Sequence, residues 1–240
     1  VHSKPLIRIG SGLACSACLA ASSLPATLAL GDLRARTAAR DLAARARAAG
    51  VPEEFEGKGF DSFVAETDRA AQVAQALEGY CAEFHAKRFK RKGFIFIGAP
   101  GTAKTHIACA MVQALLARGF SPKYTSLPRL TRELRAGFGR PGVAEGVVRA
   151  HVDADLLVLD EIDLHGASDH DYNTLYDIIN TRYERHGYPT LAISNREIGR
   201  LNVDLDERVT SRILSGTQPM VFDWQGRRGD RALHAGGGSR

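Results

Sequence analysis

The stretch Gly98-Ala99-Pro100-Gly101-Thr102-Ala103-Lys104-Thr105-His106 follows directly on the apolar run Phe94–Ile97. Its spacing is that of a phosphate cradle, G-x-x-x-x-G-K-[ST], with Ala103 where the second glycine belongs. In such a loop successive backbone N–H groups wrap phosphate oxygens, and the helix that follows points its positive end at them. Lys104 supplies an ammonium for the β- and γ-phosphates, and Thr105 a hydroxyl for Mg²⁺. Gly98 and Gly101 keep side chains clear of the ligand, while Ala99, Pro100, Thr102 and His106 complete the binding segment. A positive φ at Ala103 would cost roughly 1–2 kcal/mol, tolerable against the affinity for a triphosphate. The competing reading is an ordinary Gly/Pro turn that happens to precede Lys-Thr.

A second motif separates the two. "DLLVLDEID" (155–163) reads as a buried strand ending in adjacent carboxylates. Asp160, at the strand tip, can hold the Mg²⁺ shell, and Glu161 can orient or deprotonate an attacking water. "TLAISN" (190–195) is another buried strand with a polar tip, so Asn195 is either a hydrogen-bond partner for the γ-phosphate or the water, or an ordinary strand-ending turn residue. "LDERVTSRI" (205–213) sets Arg208 and Arg212 one helical turn apart on one face. That pair suits either an arginine finger for a neighbouring subunit's phosphate or a surface ion-pair helix with Asp204, Asp206 and Glu207.

These residues need a scaffold that brings strand tips together. From Gly93 onward, apolar runs at Phe94–Ile97, Lys123–Leu127, Leu156–Leu159, Thr190–Ile193 and Met220–Phe222 alternate with helical stretches. The helices are expected at Lys104–Arg118, Pro128–Gly137, Asp171–His186 and Asp204–Leu214. The alternation predicts an α/β fold, a mostly parallel five-stranded sheet flanked by helices on both faces. Upstream, residues 66–86 carry a helical period through Ala70, Val73, Leu77, Tyr80 and Phe84. "KRFKRK" (87–92) is expected as solvated surface.

Residues 1–31 are Ala/Ser/Leu-rich without a clean period and are expected to be poorly ordered. An Ala/Arg-rich helix over 32–49 is expected next, with Asp32 as N-cap and Gly50 and Pro52 as the stop. Its arginines leave little apolar face, so it is either solvated or docked on something acidic. The expected organisation is an N-terminal segment over 1–50, an ATPase domain over 51–231 and a flexible tail over 232–240.

The 240 residues carry a net charge of +5, compatible with a nucleic-acid or acidic partner, and 25% charged residues exclude a mostly disordered chain. Of four cysteines, Cys15 and Cys18 form a lone CxxC, short of the four ligands of a structural zinc site. Cys81 and Cys109 are expected as buried thiols. The segment from Leu6 to Leu30 has signal-peptide character, but Arg8, Gly10 and Gly12 interrupt it. No apolar run is long enough to span a bilayer, so a cytoplasmic location and no membrane partner are expected.

With these motifs assembled, the chain resembles the DnaC-type replicative helicase loaders, AAA+ P-loop ATPases related to the initiator DnaA. The resemblance runs from about Gly50 to Arg231 and includes "GVPEEFEGKGFDSFVAET" and "VFDWQGRRGDR". It implies that Lys104 and Thr105 are the Walker A lysine and hydroxyl, Asp160 and Glu161 the Walker B acids, and Asn195 sensor 1. It further implies Arg212 as arginine finger with Arg208 one turn earlier, and Arg228, beyond Trp224, as sensor 2. The cofactors implied are ATP or ADP with Mg²⁺. A finger acting in trans implies self-association, and the family's partners are a DnaB-like replicative helicase and single-stranded DNA. Arg129, Arg132, Arg135 and Phe138 in "PRLTRELRAGFGR" are the candidate DNA contacts, arginines for phosphates and an aromatic ring for a base, the alternative being a solvated basic helix. Residues 1–30 depart from a loader's helicase-binding domain, which leaves the helix over 32–49 as the candidate partner element. Two other functions fit the same motifs: an IstB-like transposition helper ATPase, and an ATP/ADP-binding switch with negligible turnover, which Ala103 keeps open. A metabolic kinase would need a lid-like arginine cluster that the sequence does not show.

Overall fold

The computed structural model describes residues 6–9, 12–15, 33–87, 93–137, 139–140, 142–163, 168–196 and 207–226. Arg228, Phe138, Cys18 and the tail 232–240 lie outside them, as do Asp204 and Asp206. The chain divides into two compact units, Val1–Ala44 and Arg45–Arg240.

In the first unit, β1 (Leu6–Ile9) pairs antiparallel with β2 (Gly12–Cys15), Leu6 opposite Cys15 and Ile9 opposite Gly12. These strands lie inside the region expected to be poorly ordered; Leu-Ile-Arg-Ile and Gly-Leu-Ala-Cys are short, and their alternation is too brief to stand out from an apolar, small-residue background. Helix α1 (33–48) follows, with Arg34 and Arg40 exposed. Its last turn belongs to the second unit, where Ala46 and Ala49 are buried.

The second unit is built on β3 (Gly93–Gly98), β4 (Lys123–Ser126), β5 (Leu157–Asp160), β6 (Thr190–Ser194) and β7 (Thr217–Phe222). All five are parallel, in the spatial order β4-β5-β6-β3-β7. The chain leaves β3 for the far edge, returns strand by strand to β6, then passes β3 to reach β7. This reversal puts the C-terminal ends of β3, β5 and β6 around one crevice, where open α/β sheets bind ligands. It also inserts β6 between the two motif-bearing strands, which their separation in sequence does not reveal.

The helices are α2 (Asp68–Ala82), α3 (Phe84–Lys87), α4 (Lys104–Ala117), α5 (Leu127–Ala136), α6 (Val143–Val152), α7 (Asp169–Thr181) and α8 (Glu207–Gly216). Ile95, Ile97, Leu157, Leu159 and Ala192 bury against Leu127, Leu130, Leu134, Leu175, Ile178, Val209 and Ile213 of α5, α7 and α8. The alternate β3 side chains turn the other way: Phe94 meets the Tyr80 ring of α2 at 4.8 Å and Phe96 meets Phe222 of β7 at 4.8 Å. With both faces covered, β3 reads as an unbroken apolar run. β7 begins three residues earlier than expected because half-buried Thr217 and exposed Gln218 and Pro219, which carry no apolar-run signal, still pair with β3. The proline is tolerated on an edge strand.

Helix α6 was not expected; Gly142, Gly146 and a thin apolar stripe hide it. Its C-terminal end is held by Arg182, which lies in a π-helical turn over Arg182–His186 after α7. The fully buried guanidinium donates to the carbonyls of His151, Val152, Ala154 and Pro189. Burial lowers its pKa to about 9, so it stays a cation at neutral pH. Helix α7 starts on a capping box: Ser168 Oγ accepts from Asp171 N–H while Asp171 Oδ2 accepts from Ser168 N–H at 2.9 Å. Among the described residues no helix is long and apolar enough to cross a membrane.

Candidate nucleotide site

The loop between β3 and α4 takes the conformation its composition requires. Gly98 has φ 153°, and a Cβ there would sit 2.2 Å from the Phe222 carbonyl oxygen of the neighbouring strand. Ala103, the last residue before α4, adopts the left-handed conformation, φ 68° and ψ 22°. The sequence departs from glycine at a position that does need positive φ. Ala103→Gly is expected to raise stability by about 0.5–1 kcal/mol, the relief of the Cβ contact less the added chain entropy. Denaturant unfolding checks this, and a loss of stability would show that Ala103 is not strained.

Lys104 is buried, 5% exposed, with its ammonium against the Gly98 and Ala99 carbonyls at 2.7 and 2.8 Å. Burial lowers its pKa, against the opposing pull of Asp160 and Asp163. The two motifs meet directly: Thr105 Oγ1 donates to Asp160 Oδ2 at 2.8 Å. The same oxygen accepts the Tyr124 hydroxyl at 2.7 Å, and Asp160 Oδ1 accepts the Glu161 N–H at 2.7 Å. Glu161 has φ 53°, the second non-glycine residue with positive φ among the described residues. Backbone strain of this kind clusters at active sites and ligand clamps. Burial, then the charges of Asp160 and Asp163, raise its pKa above the ordinary carboxylate value.

Asn195 sits one residue past β6. Its N–H donates to Asp163 Oδ2 at 3.0 Å, and Ile162 N–H donates to the Ile193 carbonyl at 3.2 Å, so the β5 and β6 tips are laced together. A cleft of about 540 Å³ is lined by Lys104, Thr105, Asp160, Glu161 and Asn195, with Pro52, Phe55, Tyr124 and Arg129 on its far wall. That volume lies in the range of clefts that hold small molecules and cofactors. Beside it, a smaller cavity of about 90 Å³ is bounded by Phe63, Val64, Ala103, His106 and Trp224. His106 lies between the rings of Phe55 and Phe63, with Nε2 3.2 Å from Ser62 Oγ. Trp224 Nε1–H donates to the Thr102 carbonyl at 3.1 Å, so the segment after β7 closes over the loop.

The other expected residues are dispersed. Arg212 stacks over Tyr183 at 5.1 Å and pairs with Glu184 at 3.2 Å, next to Thr217 at the start of β7. Thr217 is opposite Gly93, so Arg212 is at the end of the sheet away from Lys104, about 17 Å along the strands. Arg208 donates to Asn173 Oδ1 at 3.0 Å and lies over Tyr176. Of the candidate DNA contacts, Arg135 pairs with Asp171 of α7, and Arg129 with Glu133 and the Gly50 carbonyl. Arg132 is exposed, and no bond or ion pair to it is found among the described residues.

Sequence reasoning passed over Tyr124, Asp163 and Gln113. Asp163 was visible in the quoted strand but had no assigned task. Gln113 is buried in α4 and takes the Gly57 N–H while donating to Phe55 and Lys58 carbonyls, fixing the segment that walls the cleft. A lone glutamine on an otherwise apolar helix was the only signal available for it.

A family model described as IstB-like ATP binding protein matches residues 27–215. The chain belongs to that family. It is 26% identical over 178 residues to the replicative helicase loader DnaC of Escherichia coli strain K12, covering 73% of this chain and 71% of that protein. A crystal structure of the DnaC helicase loader is similar with a TM-score of 0.63 at 20% identity, over 71% of this chain and 99% of that one. A replication initiator DnaA bound to AMPPCP and single-stranded DNA is similar with a TM-score of 0.60 at 18% identity, over 73% of this chain and 52% of that one. The fold is the AAA+ P-loop ATPase core.

Proposed function

We propose that this protein is a DnaC-type ATPase that binds a hexameric replicative helicase and passes it onto single-stranded DNA, with ATP binding and hydrolysis as the switch. The observation that carries the nucleotide chemistry is the Thr105–Asp160 contact, which joins the phosphate loop to the acidic strand tip. Thr105 and Asp160 together form a hard oxygen pair suited to Mg²⁺, which when bound neutralises phosphate charge. Lys104 shifts its hydrogen bonds from the loop carbonyls to the β- and γ-phosphates. Glu161 accepts the proton of the attacking water, and Asn195 orients that water or the γ-phosphate. The aromatic cavity beside His106 and Trp224 accepts the adenine base. Arg212 acts on a neighbouring subunit's nucleotide, and Arg228 serves as sensor 2.

The loading role rests on the similarity to DnaC, and the DNA preference on Arg132 and its neighbours in α5. A pull-down from the host with ATP present tests it: the replicative helicase is expected among the retained proteins, and its absence leaves a DNA-linked ATPase. The family match favours a second reading, an IstB-like transposition helper, in which a transposase rather than a helicase would be retained.

A further inference from the structure

The Tyr124 hydroxyl reaches Asp160 from the side opposite the phosphate loop, and the ring is buried. Thr105 also donates to that carboxylate oxygen, and a threonine that ligates a metal through an oxygen lone pair keeps its proton for that bond. Asp160 Oδ2 therefore has two side-chain donors, Thr105 from the phosphate loop and Tyr124 from β4, beside the Glu161 N–H on the other oxygen; of the two, only Tyr124 has no part in holding the metal itself. Its backbone is committed elsewhere. Tyr124 N–H donates to the Ala49 carbonyl at 2.7 Å, on the outer edge of β4. Gly50, at φ 96°, lies so close that a Cβ would sit 2.1 Å from the Tyr124 carbonyl oxygen. Arg129 Nη1, on the cleft wall, grips the Gly50 carbonyl at 3.1 Å.

Resting on the nucleotide-site reading, we propose that Tyr124 is a positioning residue that holds Asp160 for Mg²⁺ and ties it to the Ala49–Gly50 turn that ends α1. One residue thus carries two bonds: its amide fixes where β4 sits against the turn, and its hydroxyl fixes where the metal-binding oxygen sits in the cleft. A displacement of the turn reaches Asp160 through the rigid tyrosine ring, and a change in metal occupancy reaches the turn by the same route. Apolar burial alone would have been met by phenylalanine, which lacks the hydroxyl that the site uses.

The test titrates MgCl₂ into the full chain with a fluorescent ATP analogue and reads the magnesium concentration at half-maximal binding. Tyr124→Phe is expected to raise it about 5–20-fold, the loss of a hydrogen bond to a charged acceptor, with little change in affinity for the analogue in EDTA. Gly50→Ala, which pushes on the Tyr124 carbonyl, is expected to shift it in the same direction. In the double variant the two shifts do not add, as for residues acting through one path. Thermal melts run alongside show whether each variant is folded. A folded Tyr124→Phe with the wild-type magnesium midpoint overturns the proposal, as do additive shifts. A wild type that binds the analogue while the variant matches it removes the tyrosine's role alone; a wild type that binds no nucleotide at any magnesium removes the nucleotide reading itself.

Discussion

Replacing Glu161 by glutamine is expected to lower ATP hydrolysis about 10²–10⁴-fold while ATP binding survives, because the change removes a proton acceptor and little else. The side chain lines the cleft beside Lys104 and Thr105 and makes no ion pair there among the described residues. Its exposed position past the strand tip lets glutamine take the same place without burying an unpaired amide. The pH profile adds a second readout. Partial desolvation in the cleft, then the neighbouring acids Asp160 and Asp163, raise the Glu161 pKa, so the base is protonated, and idle, up to a higher pH than an ordinary glutamate. The wild-type rate should climb with pH through that raised value, and the acid limb should vanish from the residual rate of Glu161→Gln. Equal and negligible rates for both proteins, with and without single-stranded DNA, would instead support a switch that binds nucleotide without turning it over.

Arg212→Ala is expected to cost about 10³–10⁵ in turnover with nucleotide binding intact, the range for a lost arginine finger. The arginine lies at the end of the sheet away from its own Lys104, so any contact with a phosphate must come from another copy. Tyr183 and Glu184 hold the guanidinium on the surface in a defined direction, which lowers the entropy lost on docking. Mixing separates this from a folding defect. Glu161→Gln supplies an intact Arg212, and Arg212→Ala supplies an intact Glu161, so the mixture should hydrolyse ATP faster than either variant alone. A mixture no faster than its components, or an Arg212→Ala protein that loses nucleotide binding, would place the residue in a structural role.

The legible parts of the molecule were those written locally. Phe94–Ile97 and Leu156–Leu159 declare buried parallel strands because both faces are covered, and the phosphate loop declares itself through spacing. The sequence raised a positive φ at Ala103 only as a condition, and the loop meets it at φ 68°. Less legible was whatever depends on partners distant in sequence. Arg129 and Arg135 share a basic helix with Arg132, yet Glu133, Gly50 and Asp171 claim the first two. Tyr124 has the pattern of an ordinary buried aromatic in "KYTS"; only the fold brings Asp160 to its hydroxyl. Helix α6 hides behind two glycines, and Arg182 resembles a surface arginine until the ends of α6 and β6 converge on it.

On the proposed reading, residues 98–105 and the Asp160–Glu161 tip bind one magnesium-chelated ATP. Titration calorimetry of the folded wild-type chain with ATP tests it, run once with MgCl₂ and once with EDTA. A saturable isotherm with one ATP per chain, weakened when the metal is removed, is the predicted result; a folded protein that takes up no ATP in either condition would contradict the account.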